Sequence, residues 1–172
     1  MDILSHGLWG GVAFGRKNRK SFWLSFIFGL APDLLSFGVF FAAVAFGLAP
    51  KPAFRMEPPQ DNLIPSYIHS LYDVTHSLII FVVLFALVYA LLKRPLWEMS
   101  AWGLHILMDI PTHSYQFFPT SFLWPFSDIG VNGIPWSRPI IFIPNIILLV
   151  ILYVWFLVVR PRLRNRQRAL DV

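Results

Sequence analysis

The segment PIIFIPNIILLVILYVWFLVV, residues 139–159, runs 21 residues without a charged side chain, and the ten residues after it carry five arginines. As a helix rising 1.5 Å per residue it is about 31 Å long, close to the roughly 30 Å thickness of a bilayer's hydrocarbon core. It has no polar face to turn toward water, so it reads as a membrane span stopped by Arg160, Arg162, Arg164, Arg166 and Arg168.

Working outward, Phe22 to Leu48 holds one charge, Asp33, in 27 residues and can also cross, with a break expected near Pro32. Ser77 to Leu92 is uncharged and ends at Lys93-Arg94. From Pro95, which suits the first position of a helix, the stretch to Ile110 sets Trp97, Trp102 and Leu104 beside Glu98, His105 and Asp109, a span with polar cargo. Ile3 to Phe14 is too short to cross unaided and reads as a short or re-entrant helix packed within the bundle. The expected fold is all-α: one integral membrane domain over residues 1–172, a polytopic bundle of about four transmembrane spans plus a short N-terminal helix, with a basic tail at 160–172. Ala49 to Thr75 and Pro111 to Arg138, rich in Pro and aromatics, are expected as ordered caps.

Composition agrees. Of 172 residues, 56% are hydrophobic and 13% charged, against the roughly 25% charged of soluble domains, too few to build a water-facing surface. The net charge of +5 gathers in Arg16, Lys17, Arg19 and Lys20, in Lys93-Arg94 and in the arginine tail, each beside an apolar segment. Basic residues so placed mark the cytoplasmic boundary and anionic lipid head groups rather than nucleic acid. The expected location is therefore the cell (inner) membrane, multi-pass, with a cytoplasmic C-terminus and membrane lipids as partners. Without cysteine, disulfides, thiolate metal sites and a cysteine nucleophile are excluded. Met1 to Gly15 lacks the basic n-region and cleavage site of a signal peptide and is read as mature sequence.

An ionisable group in hydrocarbon costs about 2.5–3.5 kcal/mol on insertion scales, so each one in a span needs a reason. The candidates are His6, Asp33, His105 and Asp109, with His76 at a span's outer edge. His105 and Asp109 are four apart and so stacked on one helical face, able to chelate one ion. Three imidazoles and two carboxylates offer the N and O ligands that zinc or manganese accept, and one aspartate, Asp33 or Asp109, is left to act as general base. Counted from the nearest basic cluster, all five fall at or above the midplane, which allows them to meet at one site.

Structural readings stand beside these. Asp33 can cap a helix broken at Pro32, Asp73 and Thr75 can cap the span that begins near His76, and His105 with Asp109 can be a buried hydrogen bond. His69 and His113 read first as hydrogen-bonded packing residues. No G-x-S-x-G elbow, H-E-x-x-H motif or glycine-rich phosphate loop is present.

Met1-Asp2-Ile3-Leu4-Ser5-His6, Ala31-Pro32-Asp33, Val74-Thr75-His76-Ser77, Trp102 to His105 and on to Asp109, and Leu123-Trp124-Pro125-Phe126-Ser127 form an ordered set. This set resembles the YdjM-like inner-membrane proteins, classed as predicted metal-dependent hydrolases. The resemblance implies His6, Asp33, His76, His105 and Asp109 as metal-site residues, with Thr112 supporting and Ser77 beside His76, and hydrolase as a class without a substrate. Two departures stand out. The second aspartate expected two positions after Asp33 is Leu35, and Leu71-Tyr72-Asp73 replaces a His-Arg-Gly run, with His69 two positions too early to align. They put a second metal in doubt and remove an anion-binding arginine.

The leading expectation is a membrane-embedded metal-dependent hydrolase of a lipid or lipid-linked ester or phosphoester, using a divalent metal, zinc or else manganese. The alternatives are a divalent-cation or proton transporter using the same histidines and aspartates, and a non-catalytic membrane protein with a structural metal.

Overall fold

The computed structural model describes residues 1–51, 64–116 and 118–159. Among these residues the chain is all-helical: α1 (Ile3–Phe14), α2 (Arg19–Ala45), α3 (Ser66–Thr75), α4 (Leu78–Leu92), α5 (Ser100–Asp109) and α6 (Pro139–Val154). The arginine tail and residues 52–63 of the expected first cap lie outside the described residues.

Two helices, Arg19–Ala45 and Pro139–Val158, are long and apolar enough to cross a membrane; α3 and α4 make a third if taken together as one bent span. Most of their large apolar side chains are exposed, Val82 and Val83 on α4 and Ile147 and Leu148 on α6 among them. The Pro95 to Ile110 stretch is a 3-10 turn at Trp97–Met99 followed by α5, whose ten residues reach about 15 Å, half a hydrocarbon core. Pro111 brings no N–H to extend it.

Side-chain caps set three helix starts. Asp2 accepts from Ser5 N, Asn18 from Ser21 N and Ser77 from Ile80 N, each filling one of the donors that a first turn leaves open. The cap of α4 is thus Ser77, not Asp73 or Thr75. Both lie in α3, because the chain turns through a 56° elbow between α3 and α4, with His76 at the bend. Nor does α2 break at Pro32: the helix runs through it, and Pro32 is buried against its neighbours. The Gly29 carbonyl, next to the one that Pro32 leaves without a helical donor, accepts from His105 Nδ1 at 2.7 Å.

Small residues let α1, α2 and α5 pack backbone to backbone. A Cβ on Gly29 would stand 2.5 Å from the His6 carbonyl oxygen, and one on Gly10 would stand 2.7 Å from Ser25 O and 2.8 Å from Ala101 Cβ. α6 joins through Asn145, which donates to Ser5 Oγ and accepts from Trp9 Nε1, both at 2.8 Å.

The bundle has two unlike ends. Ser21 Oγ donates to Glu98 Oε1 at 2.7 Å, and the Phe22 ring lies 6.4 Å from that of Tyr153. The starts of α2 and α5 and the end of α6 therefore share one end, which also carries Arg16–Lys20. At the other end Phe40, Ile64, Ile68, Tyr72 and Phe118 form an apolar core.

A candidate metal centre

Four helical segments deliver the site: α2 brings Asp33, the elbow brings His76, and α5 brings His105 and Asp109 one turn apart. α1 adds His6, and all five are buried. One ligand atom from each of Asp33, His76, His105 and Asp109 lies within 4.8 Å of every other, a group that could hold a metal ion.

The hydrogen bonds around the group decide which atoms point inward. His105 Nδ1 faces the Gly29 carbonyl, and His76 Nδ1 lies 3.1 Å from the Tyr72 carbonyl and 3.0 Å from Thr75 Oγ1. A carbonyl oxygen can only accept, so each Nδ1 carries a proton, and in the neutral form of each ring the lone pair of Nε2 turns inward. Those two Nε2 atoms are 3.1 Å apart. Asp109 Oδ2 lies 3.1 Å from His105 Nε2 and 3.5 Å from His76 Nε2, yet accepts no hydrogen bond and is fully buried. Asp33 Oδ1 stands slightly farther out, at 3.6 and 3.8 Å from the same nitrogens. With both rings neutral, two lone pairs and two carboxylates would meet in a buried space, an arrangement that a bound cation would relieve.

The other oxygen of Asp109 is differently employed. Oδ1 meets the Met1 backbone nitrogen, His6 Nε2 at 2.9 Å and His113 Nδ1 at 3.4 Å. Donors therefore crowd one oxygen and leave the other bare toward the histidines, the pattern by which outer partners orient a ligating carboxylate.

His6 is brought to the site without joining the four. Its ring stacks on that of His105, centroids 3.6 Å apart and planes 20° from parallel, and Nδ1 is buried without a partner. Thr112 Oγ1 donates to the Met108 carbonyl at 2.8 Å and lies 3.3 Å from the Met1 nitrogen, bracing the start of α1 against the end of α5. Ser77 holds the elbow: its hydroxyl donates to the Trp124 carbonyl while Leu78 N donates to Phe122 O at 2.9 Å. Trp102 Nε1 ties α5 to the same bend through the Thr75 carbonyl, 2.8 Å away. The Leu123 to Ser127 run is thus the brace that sets His76. His69 stacks on Phe118 at 4.5 Å in the apolar end, outside the four.

Sequence reasoning set aside one contributor, His113, as a packing residue and passed over a second, Asn145. His113 sits four residues beyond Asp109 and repeats the spacing that singled out His105, a signal hidden by the intervening Pro111. Asn145, a lone amide within an apolar span, carried its own signal of a buried polar contact.

Compared with protein-family models, curated proteins and solved structures, the chain matches none of them.

Proposed function

We propose that the protein is a multi-pass membrane hydrolase that holds one divalent cation, zinc or else manganese, and cleaves an ester or phosphoester of a lipid or lipid-linked substrate. The observation that carries this reading is the inward convergence of two Nε2 lone pairs and the bare Asp109 Oδ2, a donor set of the kind such cations take. His76, His105 and Asp109 form the tightest triangle and are assigned as ligands. Asp33 Oδ1, set back by a few tenths of an ångström, is assigned as the general base. A cation held by His76, His105 and Asp109 would supply the acidity that makes a water nucleophilic near neutral pH. Asp33 would stand as the acceptor of its proton, and His113 and His6 hold Asp109 in place. Amphiphiles are the fitting substrates because the ligands sit on helices whose outer faces are apolar. In this reading the chain makes four passes, with α5 and its flanking turns as one of them, and the basic end faces the cytoplasm. The ordered motifs shared with YdjM-like proteins support the same class.

One observation favours a second reading, a closed structural site: the group can offer four protein ligands, all of them buried. The two part at Asp33. In a hydrolase, Asp33→Asn keeps stoichiometric metal, measured by mass spectrometry of the purified protein, and loses hydrolysis of phospholipid esters in mixed micelles by at least about the 10²-fold of general-base catalysis. If Asp33→Asn empties the site as fully as Asp109→Asn, the structural reading holds. Metal-loaded protein inert to a broad ester panel but moving cations into liposomes would instead make it a transporter.

A further inference from the structure

The opposite end of α1 from His6 builds a second feature. Val12, Phe22, Tyr153, Phe156 and Leu157 help wall a cavity of about 210 Å³ with Arg16 at its edge. The walls come from α1, α2 and the end of α6, and Tyr153 is fixed there by donating its hydroxyl to the Leu8 carbonyl at 3.0 Å. Arg16 is exposed, with its guanidinium carbon 5.6 Å from the centre of the Phe156 ring. Among the described residues it makes one long contact, with the Ala13 carbonyl at 3.4 Å, and pairs with no carboxylate. Lys17, Arg19 and Lys20, all exposed, follow at once, so that four cations stand within five residues of sequence, the first of them on the cavity.

We infer that this groove binds one anionic phospholipid, with an acyl chain along Val12, Phe22 and Leu157 and the headgroup phosphate on Arg16. The helices on either side, α2 and the end of α6, are the two long enough to cross a membrane, so the molecules that reach this groove are lipids. Charge selects among them. A zwitterionic headgroup offers no net charge to four cations, whereas an anionic one does, and a guanidinium forks onto two phosphate oxygens where an ammonium makes a point contact. The ring beneath Arg16 helps hold the guanidinium in that attitude. The inference is independent of the metal, since the groove shares no residue with the His/Asp group.

The test is native mass spectrometry of full-length protein extracted from vesicles of equal parts phosphatidylglycerol and phosphatidylcholine. The wild type should retain phosphatidylglycerol in preference to phosphatidylcholine. Arg16→Gln should lower retained phosphatidylglycerol about fivefold, the equivalent of one interfacial basic residue, while Lys17→Gln changes it less than about twofold. Val12→Trp, which fills the groove without touching charge, should lower it as well. An unchanged elution profile on size exclusion shows that each variant is folded. Equal losses from Arg16→Gln and Lys17→Gln, no loss from Val12→Trp, or equal retention of both lipids would overturn the site and leave only a diffuse basic surface.

Discussion

α4 and α5 are neighbours in the chain and opposites in construction. α4 has fifteen residues, all apolar or aromatic, and none of them is buried. α5 has ten, among them a histidine and an aspartate, and buries five: Ala101, Gly103, His105, Ile106 and Asp109. In water that would be an inverted protein, since burying Leu and Phe is what drives a soluble chain to fold. In a bilayer lipid solvates apolar side chains as well as a protein core does, so packing inside is directed by small residues and by polar groups with nowhere else to go. The apolar helix offers a surface suited to lipid and the polar one carries the candidate site.

The sharpest break in that division is on the polar side. Asp109→Asn should abolish stoichiometric metal, weakening it beyond the roughly 10–100-fold that loss of an outer partner costs, while Leu87→Val on α4 leaves the metal content unchanged. Competition titration against a chelator measures both. An Asp109→Asn protein with full occupancy would reduce the cluster to a hydrogen-bond network.

The converse test puts a charge on the lipid side. Val83→Lys, on an exposed position near the middle of α4, should oppose insertion by about 2.5–3.5 kcal/mol, read as a shift in the inserted fraction of a glycosylation-mapped reporter. Normal insertion with α4 now buried would show that lipid is not its solvent.

Smaller effects probe the seams. Gly29→Ala sets a Cβ against the His6 backbone and should cost about 1–3 kcal/mol, lowering both thermal stability in detergent and metal affinity because α1 must move. Asn145→Leu removes the two hydrogen bonds from α6 to α1 and should cost about 1.2 kcal/mol, roughly 0.6 for each, with metal retained. Metal loss in that variant would make α6 a controlling element of the site.

How much of this was legible follows from the same division. Long apolar runs announce themselves, so α2 and α6 stand where the sequence puts them. The cost of burying an ionisable group selected His6, Asp33, His76, His105 and Asp109; the structure gathers the last four and stacks His6 on His105 beside them. What periodicity could not carry is the elbow at His76. It depends on Ser77 and Trp102 meeting the Trp124 and Thr75 carbonyls, contacts between segments distant in the chain. The continuity of α2 through Pro32 was hidden for a related reason, because local rules count the lost hydrogen bond and miss the partners that α5 supplies. His113 was read as a packing residue rather than a partner of the site because a proline between it and Asp109 ends the helix on paper, although its N–H still bonds back to the Asp109 carbonyl.

His6 and Asp109 touch across 103 positions of sequence. During synthesis, α1 and α2 are made long before α5, so a nascent chain carries Asp33 and an empty place where its partners will stand. Contacts of such separation form late, after the intervening segments have threaded and docked. On the proposed metal-site reading, cation capture is a checkpoint at the end of biogenesis rather than a seed for it, and a chain arrested before residue 109 should pass through the insertion machinery without ever competing for the cell's metal.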